Sequence, residues 1–196
     1  MSARVSETHR PARAAWGWAQ IASLANRVYA RVVIGPLFGT AARFDLKEPA
    51  KTVTRGEMLL CLLAAGRGQA FTPVQLQKAV FLALENMPAL VSHGPAFHFV
   101  PYDYGPFDRD VYSEAEALSA AGQAIITPAA TARWNTYAAS SAGIAVAQAL
   151  GTRLNDHQRA YIEKLTAWVL AQSFGSLVKS VYEAYPAMRQ NSIFQE

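Results

Sequence analysis

Residues 97–122 constrain the fold most, because this one stretch contains a strand signal, a turn signal and a helix signal in close succession. Aromatic residues alternate with polar ones over residues 97–100, which predicts a short, half-buried strand that Pro101 ends. Gly105-Pro106 predicts a sharp turn. A helix is then predicted over residues 108–121, with acidic residues near its start, where they suit the positive end of the helix dipole.

Two predicted helices precede this stretch. Residues 56–65 are almost entirely apolar, which predicts a short helix that is buried on most of its sides. Thr72-Pro73 supplies a hydroxyl cap followed by proline at the first helical position, so a second helix begins there and runs to about Asn86.

Residues 124–127 and 134–138 predict a two-stranded hairpin, which Ser140 or Ser141 follows as the cap of another helix. Two more helices complete the pattern, the first of them begun by a capping box that Asn155 opens. Helix, helix, short strand, helix and hairpin is the element order of a winged helix. We therefore predict a mainly helical α+β fold over residues 56–196, winged-helix-like and with a short β-hairpin.

Residues 1–55 are predicted to form a separate basic region, with a loose tail, an amphipathic helix over residues 14–33 and a polar linker over residues 40–55. Arg27 and Arg31 interrupt the apolar run of this helix, so no transmembrane segment is expected. Three interpretations stay open: a helix packed on the main domain or on a partner, a basic helix that touches membrane or nucleic acid, and a start site placed too early, which leaves the segment without a role.

The positive charge of the chain lies in that N-terminal region. Residues 1–55 carry nine basic and three acidic residues, whereas the rest carries nine basic and eleven acidic ones. The helix predicted over residues 108–121, which would enter the major groove in a DNA-binding winged helix, has four acidic residues against Arg109 alone. Because acidic side chains repel phosphate, nucleic-acid binding is not favoured, and a regulator that binds nucleic acid through the basic N-terminal segment is the alternative hypothesis.

The sequence contains no pattern that is typical of a catalytic or metal site. Cys61, the one cysteine, lies in an apolar run, which predicts a core residue in a reducing cytoplasm. His93 and His98 have too few companion ligands for zinc. Three aspartates lie around the turn and are expected to cap the following helix rather than bind calcium: Asp103, Asp108 and Asp110. We therefore expect a protein that is not an enzyme and needs no cofactor or metal.

Several motifs together resemble one family. They are Leu76-Gln77-Lys78-Ala79-Val80-Phe81-Leu82, the aromatic turn around Tyr104-Gly105-Pro106, the following Val111-Tyr112 and Leu118 to Gly122, and Tyr185-Pro186 followed by Asn191-Ser192. In order and spacing, residues 57–194 are similar to the Panacea-domain proteins, the SocA-like antitoxin and phage-associated group. We expect a cytoplasmic protein, and the resemblance implies a non-enzymatic partner binder that often neutralises a toxin encoded beside it or delivers it to proteolysis.

The expected partner-binding surface lies around the aromatic turn and the acidic helix, and a homodimer is compatible with it. Tyrosine is frequent at binding hot spots. The rings of Tyr102, Tyr104 and Tyr112 could equally pack over the predicted hairpin as structural residues. Lys78 is either a surface lysine with its stem buried or the ion-pair partner of an acid such as Asp103 or Glu114. The expected partner-binding residues are Tyr102, Asp103, Tyr104, Gly105, Pro106, Arg109, Tyr112 and Lys78.

Overall fold

The computed structural model of the chain describes residues 52–130 and 132–195. Within them it has a mainly helical α+β fold, with six α-helices and three two-stranded sheets. The elements in chain order are β1 (Val53–Thr54), α1 (Arg55–Ala65), α2 (Pro73–Asn86), β2 (Val91–His93), β3 (Val100–Tyr102), β4 (Gly105–Phe107), α3 (Asp110–Ala120), β5 (Ala124–Pro128), β6 (Asn135–Ala139), α4 (Ser141–Gly151), α5 (Asp156–Ala171), α6 (Phe174–Ala184) and a 3₁₀ turn (Pro186–Arg189).

Short polar side chains begin most of the helices. Thr54, Thr72 and Asn155 each cap a helix in a reciprocal capping box, and Ser140 and Ser173 accept a single amide. These bonds satisfy backbone N–H groups that have no partner inside the helix. The predicted starts of α2 and α5 are therefore confirmed.

Helix α1 is the centre of the core. Its residues from Met58 to Leu63 are all buried, and it packs against α3, α4, α5 and β6. A helix that is apolar on every side is stable only when other elements surround it, as the apolar sequence of residues 56–65 predicts. Cys61 belongs to this core with 7% of its surface exposed, as expected.

The chain joins this fold a few residues earlier than the predicted boundary at residue 56. Val53 is buried and pairs with Val91 in the short parallel sheet of β1 and β2. Arg153 donates from Nη2 to the carbonyl of Thr52 at 3.0 Å and from Nη1 to the carboxylate of Glu57 at 2.7 Å. The last residues of the predicted linker are thus part of the fold, while the predicted tail, the helix over residues 14–33 and the linker up to residue 51 lie outside the described residues.

The hairpin predicted from residues 124–138 is present as β5 and β6, which pair antiparallel over five residues each. Phe71 extends it, because its backbone exchanges two hydrogen bonds with Tyr137 at 2.8 and 3.0 Å. No helix within residues 52–130 and 132–195 combines the length and the hydropathy that crossing a bilayer requires.

The strand predicted over residues 97–100 is placed differently. The strand starts at Val100 and contains Pro101, which pairs with Pro106 on the opposite strand. The two strands join at the Asp103-Tyr104 turn, so Gly105-Pro106 is part of a strand rather than the turn itself. Prolines are tolerated here because alternate residues of an antiparallel strand direct their N–H away from the partner strand, where no ladder bond is needed.

Candidate partner-binding surface

Gly105 determines how closely the β3–β4 hairpin approaches the helices beneath it. Its φ of 99° lies in a region that residues with a side chain rarely adopt. A Cβ atom at this position would lie 3.1 Å from Cε1 of Tyr182 and 3.4 Å from Cε of Lys78. Both the conformation and the lack of space therefore require glycine.

Lys78 lies under the hairpin, where it is only 2% exposed. Its Nζ donates to the carbonyl of Pro106 at 3.1 Å. Both expectations for this residue were wrong: the amine does not reach the surface, and its bonded partner is a backbone carbonyl rather than Asp103 or Glu114. Burial lowers the pKa of Lys78 from 10.5 to about 7, because a charged amine is poorly solvated there.

Gln77, the residue before Lys78, also binds the backbone of a segment above α2, and this role was not predicted from the sequence. Its side-chain amide donates to the carbonyl of Asp108 at 2.8 Å and its oxygen accepts the N–H of the same residue at 3.0 Å. Gln77 is 2% exposed, and both bonds are made to the segment that leads into α3. The signal in the sequence was two adjacent polar residues within residues 76–84, which are otherwise apolar.

Residues after α6 hold the hairpin from the other side. Asn191 donates from Nδ2 to the carbonyl of Pro101 at 3.0 Å, and the N–H of Ile193 donates to the carbonyl of Asp103 at the same distance. Ser192 accepts the hydroxyl proton of Tyr182 at 2.6 Å and donates to the carbonyl of Asp103 at 3.3 Å. Side chains far away in sequence therefore fix the hairpin from both sides.

Three aromatic rings form a contiguous surface beside the turn, which we call the aromatic patch: Tyr104, Phe174 and Phe194. The ring of Phe174 lies 5.1 Å from that of Tyr104 and 5.8 Å from that of Phe194. Phe174 is 47% exposed and Tyr104 37% exposed. Tyr102 and Ile193, both at least half exposed, add apolar surface on the same hairpin and the same tail. Phe174 and Phe194 were not predicted as site residues, because they lie far from Tyr104 in sequence.

Tyr112 is placed differently from Tyr102 and Tyr104. It is half-buried and stacks on Tyr137 with ring centres 5.7 Å apart, inside a row of rings that continues through Phe107 to Tyr102. Burial raises the pKa of Tyr112. Its ring therefore packs over the β5–β6 hairpin, as the structural alternative expects.

The negative charge of the acidic helix α3 is partly offset by one arginine of the same chain. Arg55 binds Glu114 at 2.6 Å and Asp110 at 2.9 Å, and its guanidinium lies 5.2 Å from the centre of the Phe97 ring. Asp108 accepts the N–H of Asp110, which confirms its expected capping role.

Arg109 occupies the N-cap position of α3 and is exposed, and its side chain makes no capping bond. Because Arg55 pairs with two acids of α3, it reduces by one charge the negative charge that this part of the expected partner-binding surface offers.

Residues 52–130 and 132–195 contain no candidate metal centre. Among these residues, no three His, Cys, Asp or Glu side chains are grouped so that they could hold a metal ion. Burial raises the pKa of the Cys61 thiol to about 11, which suits a core residue.

No family model matches the chain, and neither a curated protein nor a solved structure is significantly similar to it. The resemblance to the Panacea-domain proteins therefore stays a prediction that rests on the motifs quoted above.

Proposed function

We propose that the protein is a non-catalytic interaction module that binds a partner protein through the aromatic patch, in the manner expected of a Panacea-type antitoxin that neutralises a toxin encoded beside it. The observation that supports this proposal most is the exposure of Tyr104 and Phe174 beside a hairpin held by buried side chains. Contiguous exposed apolar surface of this kind is typical of protein-binding sites on soluble domains.

The way the patch is supported also favours binding. Tyr104 lies in the turn next to Asp103, whose carbonyl accepts hydrogen bonds from Ser192 and Ile193. Phe174 is the first residue of helix α6. Aromatic side chains on fixed backbone lose little conformational freedom when a partner covers them. Most of the favourable free energy of burying such a ring under a partner can therefore contribute to affinity.

The composition of α3 argues for a protein rather than a nucleic acid as the partner. Under this proposal the fold is winged-helix-like, with α3 at the position of the DNA-reading helix and β5–β6 as the hairpin that follows. Residues 110–120 contain no lysine or arginine, so this helix offers no group that neutralises phosphate. The aromatic patch, rather than the acids of α3, then supplies most of the binding energy.

The test is co-expression with the product of the adjacent gene. We expect the pair to co-elute in size-exclusion chromatography and the chain to restore growth if that product is toxic. The double substitution Tyr104→Ser with Phe174→Ser should weaken the complex by at least about 100-fold, since hot-spot aromatics cost on the order of 2 kcal/mol or more each.

The matched control is Trp134→Ser, which removes another exposed ring, 52% accessible, on the β5–β6 side of the molecule. It should leave the affinity unchanged. An adjacent product that is neither toxic nor bound contradicts the antitoxin proposal. Equal loss of affinity in the control and in the double variant contradicts the assignment of the patch.

A further inference from the structure

A second surface lies away from the aromatic patch, as a cleft between α1, α4 and α5. Its volume is about 790 Å³. Small and apolar residues line it together with Arg67, Gln148, Arg159 and Glu163, and the small residues would let another helix approach the backbones closely. The apolar lining consists of Cys61, Ala64, Ala65, Ile144, Ala147, Leu154 and Ile162.

The described chain begins beside one end of this cleft. The carbonyl of Thr52 is held by Arg153, whose neighbours Thr152 and Leu154 line the cleft. The described chain therefore begins beside the turn between α4 and α5. The apolar surface of the cleft is available close to this point.

The sequence before residue 52 predicts a helix with an apolar face, which is stable in water only when it is buried. Trp18, Ile21, Ala25 and Val28 fall on one side of the helix predicted over residues 14–33. The 18 residues from 34 to 51 form a connection whose root-mean-square span is about 25 Å if it is flexible, with a maximum of about 60 Å. The connection is therefore long enough to fold back along α4.

We infer that residues 14–33 dock as an amphipathic helix in this cleft, with their apolar face against Ile144, Ala147 and Ile162. The interaction covers two apolar surfaces of the same chain, and a short tether favours it over association with a second molecule by raising the effective concentration. The region before residue 52 is then part of the domain rather than an arm that reaches for nucleic acid or membrane.

Hydrogen exchange followed by mass spectrometry on the full chain tests this inference. In the wild-type protein the amides of residues 14–33 should exchange at least about tenfold more slowly than those of an unstructured segment. Val28→Asp, on the apolar face, and Ala147→Arg, in the cleft, should each remove that protection. Gln20→Asp places the same charge on the opposite face of the predicted helix and should leave the protection intact.

Cys61 gives a second readout, because it lines the cleft and is the only cysteine of the chain. A maleimide should modify it several-fold faster in Val28→Asp and Ala147→Arg than in the wild type or in Gln20→Asp. Gln148→Arg, at an exposed position of the cleft, replaces Ala147→Arg if the latter loses the exchange protection of α2 and has therefore unfolded.

Three results overturn the inference. One is rapid exchange of residues 14–33 in the wild-type protein. Another is protection that survives the cleft substitutions Ala147→Arg and Gln148→Arg, which would place the segment elsewhere. The third is protection that falls on dilution, because a helix that docks into a second copy depends on concentration while one that docks within its own chain does not.

Discussion

The two β-hairpins of the molecule are held together in different ways. The β5–β6 hairpin has strands of five residues each and is extended by the backbone of Phe71, so much of its support comes from main-chain bonds. The β3–β4 hairpin has three residues in each strand and a proline in both. Its outward carbonyls at Pro101 and Pro106 are bonded by side chains from Asn191 and Lys78.

This difference indicates which hairpin depends on the rest of the fold. Short hairpins are at best marginally stable alone in water, so the shape of β3–β4 comes from the helix below it and from the tail beside it. The proposed binding surface lies on β3–β4, the hairpin with fewer main-chain bonds between its strands. We expect substitutions that disturb the distant supports of β3–β4 to lower the free energy of unfolding strongly. Matched substitutions near β5–β6 should lower it only slightly.

The largest effect is expected from Gly105→Ala. The unfavourable φ and the contact with Tyr182 should together lower the free energy of unfolding by about 3 kcal/mol. Gly122 also has a positive φ, of 72°, but nothing lies within 4 Å of a Cβ placed there. Gly122→Ala, just before β5, should therefore cost only about 1 kcal/mol.

Urea denaturation of both variants measures these values. Equal losses of stability in the two variants would mean that the close approach of the β3–β4 hairpin to Tyr182 has no energetic importance, and the contrast between the hairpins would fail.

A second effect depends on pH and on Lys78. The pKa of Lys78 is about 7 in the folded protein and 10.5 in the unfolded chain, so above pH 7 unfolding takes up a proton. The stability contributed by this residue therefore rises with pH. Relative to Lys78→Met, the free energy of unfolding of the wild type should rise by about 1.4 kcal/mol per pH unit, or about 2 kcal/mol between pH 7 and 8.5.

Measuring the difference between the two proteins cancels the titration of all other groups. Below about pH 6 the difference should be constant, because Lys78 is then protonated in both states. Lys164→Met, at an exposed position of α5, is the matched control for the loss of a lysine. Parallel pH profiles for the wild type and Lys78→Met would show that the buried amine keeps an ordinary pKa.

The smallest effect is expected from Ser192→Ala. It removes the hydroxyl that joins Tyr182 to the carbonyl of Asp103 and should cost about 1 kcal/mol, with faster hydrogen exchange confined to the β3–β4 turn. Thr136→Val removes an exposed bond to the carbonyl of Thr127 in the other hairpin and should cost less than about 0.5 kcal/mol. A larger loss in Thr136→Val than in Ser192→Ala would reverse the comparison.

The elements that local chemistry specifies could be predicted from sequence. The buried helix α1, the caps at Thr72 and Asn155 and the β5–β6 strands follow from hydrophobic pattern and from short-range hydrogen bonds. The β3–β4 hairpin could not be predicted in the same way, because prolines argue against strands unless the positions of their neighbours are known.

The site was predictable only in part for the same reason. Tyr102 and Tyr104 were identified from the density of aromatic residues near a turn. The contact of Phe174 with Tyr104 joins residues 70 positions apart, and the bonds of Asn191 and Ser192 to the hairpin span 90 and 89 positions. The environment of Lys78 was predicted wrongly because a lysine is expected to reach water. Only the fold shows that its amine binds the carbonyl of Pro106 instead.

Because of its position, Lys78 can report how often the β3–β4 hairpin separates from helix α2. A substantial fraction of its amine is neutral near pH 7, and a neutral amine is a good nucleophile for acylating reagents. Yet the β3–β4 hairpin covers it, whereas Lys164 is exposed. Acylation of Lys164 records the reactivity of the reagent, while acylation of Lys78 records how often the hairpin separates from α2.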